Sequence, residues 1–323
     1  MAASERSDPQ QDSGGESASG RNASPSAADL SAALAGVGYL ADDDMALVLW
    51  LALRLERPIL VEGPAGVGKT ELARAAGKAL GREVIRLSCY EGLDEAKALY
   101  EWDYAKQMLY TQLVRDAIGR ATASAPSVAE AVDIVSGSAA SFFDRRFLLA
   151  RPLLRALENP TPTVLLIDEV DRADPEFEAF LLELLADMAV TIPELGRVEA
   201  THAPLVVLTT NGTREMTEAL RRRCLHLFLD YPAPSRELAI LRSRLPGIDQ
   251  RLAQQITDFV AKLRALDLKK SPSIGESIDW ARALMLLAKS QLDPELVKST
   301  LGLLLKHNDD RAAALARLGE LVP

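Results

Sequence analysis

The chain has 323 residues, with 37 Lys and Arg against 46 Asp and Glu, a formal net charge of -9 at pH 7, and 48% hydrophobic residues. That composition describes a globular protein long enough for two domains, and the acidic excess excludes attachment to DNA or an anionic membrane through bulk charge. No apolar run reaches the roughly 18 residues that a membrane-spanning helix needs, and the start MAASERSDPQQDSGG has no secretory apolar core, so the expected location is cytoplasmic.

Residues 1–29 are Ser, Ala, Gly and acid-rich without aromatic or branched aliphatic side chains, and are expected to form a disordered tail. From Leu30 the apolar spacing becomes helical, and MALVLWLALRLE (45–56) reads as a helix feeding a first strand, PILVE (58–62). Further short, nearly all-apolar runs follow at 84–89, 163–168, 205–210 and 225–231, the texture of strands buried on both faces of a parallel sheet. Phe177, Phe180, Leu181, Leu184, Leu185 and Met188 keep helical spacing, and VTIPELGRVEA after them reads as a hairpin. Beyond Tyr231-Pro232-Ala233-Pro234 only amphipathic helices are expected. The predicted organisation is therefore a tail (1–29), an α/β core with a five-stranded parallel sheet (30–234) and a small all-helical domain (235–323). Cys89 and Cys224 are too few for a disulfide framework and are expected to be ordinary buried residues, with no structural zinc.

The stretch GPAGVGKT, Gly63 to Thr70, fits G-x-x-x-x-G-K-[ST] between a strand and the helix TELARAAGKAL. Backbone amides of such a loop point at phosphate, and the helix dipole favours the anion. The nucleotide-binding set is thus Gly63, Pro64, Ala65, Gly66, Val67, Gly68, Lys69, Thr70 and Glu71, with Lys69 reaching the β/γ phosphates of ATP and Thr70 offering its hydroxyl to Mg²⁺. In TVLLIDEVD an apolar strand delivers Asp168, expected to hold Mg²⁺ through water, and Glu169, expected to act as general base on the attacking water. LVVLTT ends in Asn211, which either orients that water or contacts the γ-phosphate, or merely opens an Asn-Gly turn with Gly212; beside the other two motifs the functional reading is preferred.

In this order, GPAGVGKT, VLLIDEVD, the hairpin VTIPELGRVEA, VLTTN and ALRRRCLHLFLDYP before a helical lid, the chain resembles the MoxR-type AAA+ ATPases. The texture of LSCYEGLDEAKALYEWDYAKQMLYTQL is similar to the CoxD-like group encoded beside aerobic carbon monoxide dehydrogenase. The resemblance implies a homo-oligomeric ring, usually a hexamer, with ATP at each subunit interface. It also implies a von Willebrand factor A-type partner and a chaperone-like maturation of a client metalloenzyme, such as a molybdenum-containing carbon monoxide dehydrogenase. It further implies that Arg222 or Arg223, the latter preferred, reaches the neighbouring subunit's γ-phosphate; charge at a helix C-terminus and a nucleic-acid patch are the alternatives. One position departs from the pattern: Gly275 and Glu276 stand where the lid would carry its sensor arginine, and Arg282 is the nearest substitute. Between Lys69 and Asp168, the segment with Tyr90, Tyr100, Trp102, Tyr104 and Tyr110 fits a binding surface or core helices equally, and 127–143 is expected to hold an insertion. A nucleic-acid motor and a nucleotide-switched scaffold with little turnover are the competing functions, the first disfavoured because no basic stripe is present.

Overall fold

The computed structural model describes residues 26–123, 127, 129–130 and 144–322. Most of the expected tail and of the expected insertion lies outside them. The first described element, helix α1 (Ala27–Gly36), begins slightly before Leu30 because Ser26 and Asp29 form a capping box that satisfies the first free amides. Helix α2 (Asp43–Leu55) is capped by Asp42 and buries Met45, Ala46, Leu49 and Ala52 on one face.

Strand β1 (Ile59–Glu62) runs into the Gly-rich loop, from which α3 (Lys69–Leu80) returns to β2 (Val84–Ser88). A methyl at Gly77 would overlap Val84, so glycine there lets α3 lie close on the sheet. Strands β5 (Val164–Asp168), β8 (Leu205–Thr210) and β9 (Leu225–Phe228) complete one sheet in the order β2-β5-β8-β1-β9, every pair parallel. All five residues of β5 and all six of β8 are buried, which is why these strands read as nearly all-apolar runs, polar only at their carboxyl ends. The five-stranded parallel sheet is thus as expected, with β9 ending at Phe228 rather than at residue 231. Separate apolar cores fill its two faces, one around Leu60, Leu165 and Leu208, the other around Ile59, Leu166 and Val207. The alternation within β1, β5 and β8 divides their side chains between the two.

Helix α7 (Pro175–Asp187), which buries Phe177, Leu181, Leu184 and Leu185, leads into the expected hairpin, β6 (Ala189–Ile192) paired antiparallel with β7 (Gly196–Glu199). Gly196 takes φ 82° at the turn, a conformation that favours glycine. A second small sheet was not expected: β3 (Tyr100–Trp102) pairs antiparallel with β4 (Leu148–Ala150), just after helix α4 (Glu95–Leu99) and just before helix α6 (Pro152–Leu157). The aromatic segment divides: Trp102 is buried and Tyr110 packs edge-on against Phe147 at 5.3 Å, whereas Tyr90 and Tyr104 are exposed on the loop before α4 and at the start of α5 (Tyr104–Thr122).

After α8 (Glu218–Arg223) and β9 the chain is helical among the described residues: α9 (Pro234–Arg244), α10 (Gln250–Arg264), α11 (Ile274–Leu286), α12 (Pro294–Thr300), α13 (Asn308–Ala316) and α14 (Leu318–Leu321). These helices have their own apolar core, centred on Trp280, whose ring lies 5.3 Å from that of Phe259 and whose Nε1 donates to Thr300 Oγ1 at 2.9 Å. No helix among the described residues is long and apolar enough to cross a membrane.

Candidate active site

A parallel sheet leaves its carboxyl strand ends free for ligands, and here β1, β5 and β8 open onto one cavity of about 630 Å³. The Gly-rich loop, Asp168, Glu169, Thr209 and Asn211 line it on the sheet side, and Arg236, Arg244, Ser273 and Arg282 on the helical side. Gly66 and Gly68 have φ of 80° and 101°. A methyl at Gly66 would overlap Ser273 at the start of α11, whereas nothing lies within 4 Å of the methyl position at Gly68. Gly68 is also the N-cap of α3 and offers no side-chain cap, so the first amides of that helix stay available to a ligand.

Lys69 is buried, and its ammonium donates to Gly63 O at 2.7 Å, Pro64 O at 2.8 Å and Asn211 Oδ1 at 2.8 Å. Burial pushes its pKa down from the usual lysine value, and the carboxylates of Asp171, Asp168 and Glu169 oppose that shift. Thr70 Oγ1 donates to Asp168 Oδ1 at 2.9 Å, and Thr209 Oγ1 donates to the same oxygen at 2.6 Å. The other oxygen, Asp168 Oδ2, accepts from Arg86 Nη2 at 2.6 Å and Nε at 3.0 Å. This edge-strand guanidinium was not singled out in the sequence.

Glu169 follows at φ 56°, a left-handed conformation that costs a non-glycine residue on the order of 1–3 kcal/mol and persists only where its surroundings hold it. Its amide donates to Thr209 Oγ1 at 2.9 Å, and its exposed carboxylate accepts from Arg172 Nη1 at 2.8 Å. Asp171, two residues on, is buried and accepts at Oδ2 from Asn211 N at 3.2 Å, Thr213 N at 3.0 Å and Thr213 Oγ1 at 2.6 Å. The structure therefore brings Lys69, Thr70, Asp168, Glu169 and Asn211 to one cavity.

Arg222 and Arg223 do not line it. They end α8, exposed, with Arg222 paired to Glu218, and their carbonyl oxygens accept from Arg57 Nη2 at 2.9 Å and Nε at 3.2 Å respectively. Arg282 does line the cavity and pairs with Asp279 at 3.5 Å. Two further arginines missed in the sequence approach from α9: Arg244 donates to Glu71 Oε1 at 2.7 Å, and Arg236 to Leu40 O at 2.7 Å and Asp42 Oδ2 at 2.6 Å. Nothing in the helical periodicity marks them, since only the fold brings α9 over the Gly-rich loop.

Tested against the chemistry of a nucleoside triphosphate with a hard divalent cation, these residues fit. The open side of Gly68 and the free amides suit phosphate oxygens, and Thr70 Oγ1 and Asp168 Oδ1 are oxygens 2.9 Å apart. Among the described residues no group of three or more His, Cys, Asp or Glu is placed to hold a metal.

Residues 50–207 match the family model described as AAA ATPase domain. Over 71% of this chain and 72% of its own length, Protein NorQ of Paracoccus denitrificans is 25% identical. Gas vesicle ATPase GvpN of Ancylobacter aquaticus is 27% identical over 75% of this chain, which spans 65% of that relative. Chaperone protein ClpB 2 of Thermosynechococcus vestitus is 30% identical over 48% of this chain and 14% of its own. Among solved structures, the Thermotoga maritima RuvB Holliday junction branch migration motor aligns over 80% of this chain and 66% of that one, with 15% identity and a TM-score of 0.44. The strand order, the Gly-rich loop at the end of β1 and the match of residues 50–207 to the AAA ATPase domain lead to one conclusion: the chain is an ATP hydrolase.

Proposed function

We propose that the chain is a MoxR-type, Mg²⁺-dependent AAA+ ATPase that assembles into a ring, with a hexamer as the expected size, and uses hydrolysis to remodel a protein client in the cytoplasm. The core is assigned to 30–234 and the lid to 235–323. The observation that carries the reading is the convergence of Lys69, Thr70, Asp168, Glu169 and Asn211 on one cavity beneath the helical region. In this reading the amides of Gly63 to Thr70 and the Lys69 ammonium hold the phosphates, while Thr70 and Asp168 hold the cation, which supplies charge neutralisation on the phosphate oxygens. Glu169 accepts a proton from the attacking water, and Asn211 fixes where that water or the γ-phosphate sits.

An arginine that completes a site in trans must stay clear of its own chain's cavity and be presented at a surface. The exposed α8 end, carbonyls braced by Arg57, supports that role for Arg222 or Arg223. The acidic whole keeps this local basic patch from supporting nucleic-acid binding. A chaperone-like task and a client metalloenzyme, with a von Willebrand factor A-type protein as partner, are supported by the motif order and the hairpin at 189–199, together with the likeness to NorQ and GvpN across most of the chain. A molybdenum-containing carbon monoxide dehydrogenase is the client proposed, on the texture of residues 87–113.

The test is a pulldown with Glu169→Gln, which retains ATP while turnover stops. The reading requires that this variant, loaded with ATP, co-purify with a von Willebrand factor A-type protein and a metalloenzyme that wild type with ADP releases. Release in both states, or DNA-stimulated hydrolysis with a steep salt dependence, overturns it.

A further inference from the structure

Asn211 can position a water or a phosphate only if its own backbone is held, and its neighbours in the chain give it little help. It leaves β8 directly into Gly212, at φ 71°, a conformation that favours glycine, where one local hydrogen bond, Gly212 N to Thr210 Oγ1 at 3.0 Å, spans the turn. The loop is braced at its far end by Glu178, which is fully buried, pairs with Arg214 and accepts from Thr217 N at 2.9 Å. At its near end the brace is the Asp171 carboxylate, which gathers three donors of residues 211 and 213 on one oxygen. Its second oxygen is buried without a hydrogen-bond partner.

A carboxylate is an expensive group to bury for the sake of capping a turn. Leaving one oxygen bare raises that cost, so a purely packing role would favour a neutral residue. Asp171 also belongs to the same tight turn as Glu169, whose left-handed backbone must be held from outside. One side chain thus ties the turn that carries Glu169 to the loop that carries Asn211, and the Asn211 amide oxygen in turn meets Lys69.

We propose that Asp171 is a positioning residue for ATP hydrolysis: by clamping residues 211–213 it sets Asn211 and Glu169 relative to each other, without touching nucleotide itself. This rests on the reading of Asn211 as a residue that acts on the water or γ-phosphate. Asp171 is not among the residues that line the cavity, as a group acting through another requires. Its charge also leads the carboxylates that oppose the effect of burial on Lys69.

The experiment compares Asp171→Ala, Asp171→Asn, Asn211→Ala and the double variant Asp171→Ala/Asn211→Ala in the full-length chain, measuring kcat, KM for ATP, binding of a fluorescent ATP analogue, and thermal melting. Misplacement of a reacting group costs about 10- to 100-fold, so Asp171→Ala should lose that much in kcat with KM changed less than about threefold. The loss should not add to that of Asn211→Ala, because both remove the same function. Asp171→Asn keeps an oxygen acceptor for the two backbone amides and should recover most of kcat. If Asp171→Ala melts too early to assay, Thr213→Val removes one donor and should show a smaller kcat loss of the same kind. Wild-type kcat in Asp171→Ala beside a slow Asn211→Ala overturns this proposal alone, as does a loss that adds fully in the double variant. Wild-type kcat in Asn211→Ala means that the reading of Asn211 has failed, and the proposal falls with it.

Discussion

At Glu169 the backbone is strained but the side chain is cheaply restrained, because its pair with Arg172 is solvent-exposed and such pairs contribute little. The carboxylate can therefore leave Arg172 for a water near the phosphates at small cost. Glu169→Gln should lower turnover by about 10² to 10⁴ with ATP affinity retained, measured by steady-state hydrolysis and nucleotide binding. Arg86 makes a different prediction. It neutralises buried Asp168 through two hydrogen bonds, so Arg86→Ala should destabilise the nucleotide-free protein by roughly 1–3 kcal/mol and shift the magnesium dependence of hydrolysis to lower concentration, read by denaturant melts and a magnesium titration. An unchanged melt with an unchanged magnesium requirement would leave Arg86 without a role at Asp168. Burial pushes the Cys89 and Cys224 thiols up to about 12 from an ordinary 9.0. Both folded-state values are raised, so the stability these thiols contribute is intact below pH 9.0 and is lost as pH climbs towards 12. Thiol titration at pH 8 should accordingly be slow in the folded chain and immediate once it is unfolded.

Elements buried on both faces were legible because most residues in them must be apolar: β1, β5 and β8 stand where the hydrophobic runs lie, and their polar residues, such as Glu62, Asp168 and Thr210, fall at the carboxyl ends. The β3–β4 pair was not legible. Each strand has three residues, and the paired positions are 46 to 50 residues apart, so neither local pattern nor turn chemistry announces them. For the same reason Arg236 and Arg244 of the cavity's helical wall escaped sequence reading, since they lie on an ordinary amphipathic helix, and Asp171 was not singled out either. That wall grips the phosphate loop at several points: Arg244 on Glu71, Ile274 N on Gly66 O at 3.3 Å, and Tyr231 Oη on Ala65 O at 3.4 Å with Arg264 stacked 4.5 Å from the Tyr231 ring. Arg244→Ala should leave the melting temperature nearly unchanged, because the ion pair is partly exposed, yet weaken ATP binding and speed amide exchange in 268–290. Equal affinity in variant and wild type would mean that this contact does not couple the two regions.

For the whole molecule, one chain supplies the Gly-rich loop, the Thr70–Asp168 pair and Glu169, while its three consecutive arginines, at 221–223, do not line its own cavity. In the proposed ring, built from one repeated, head-to-tail interface, that surface would meet the next chain's nucleotide, and no subunit would hydrolyse ATP unaided. Complementation between two inactive variants is the most direct test. Lys69→Ala disables a subunit's own nucleotide site but leaves its arginines, and Arg222→Ala/Arg223→Ala does the reverse. Each alone should hydrolyse ATP at least 10³-fold more slowly than wild type, and mixing them should restore turnover at the interfaces where an intact site meets intact arginines. Mixed oligomers, verified by mass, that stay as inactive as their components would contradict a shared site, as would full activity of the arginine variant alone.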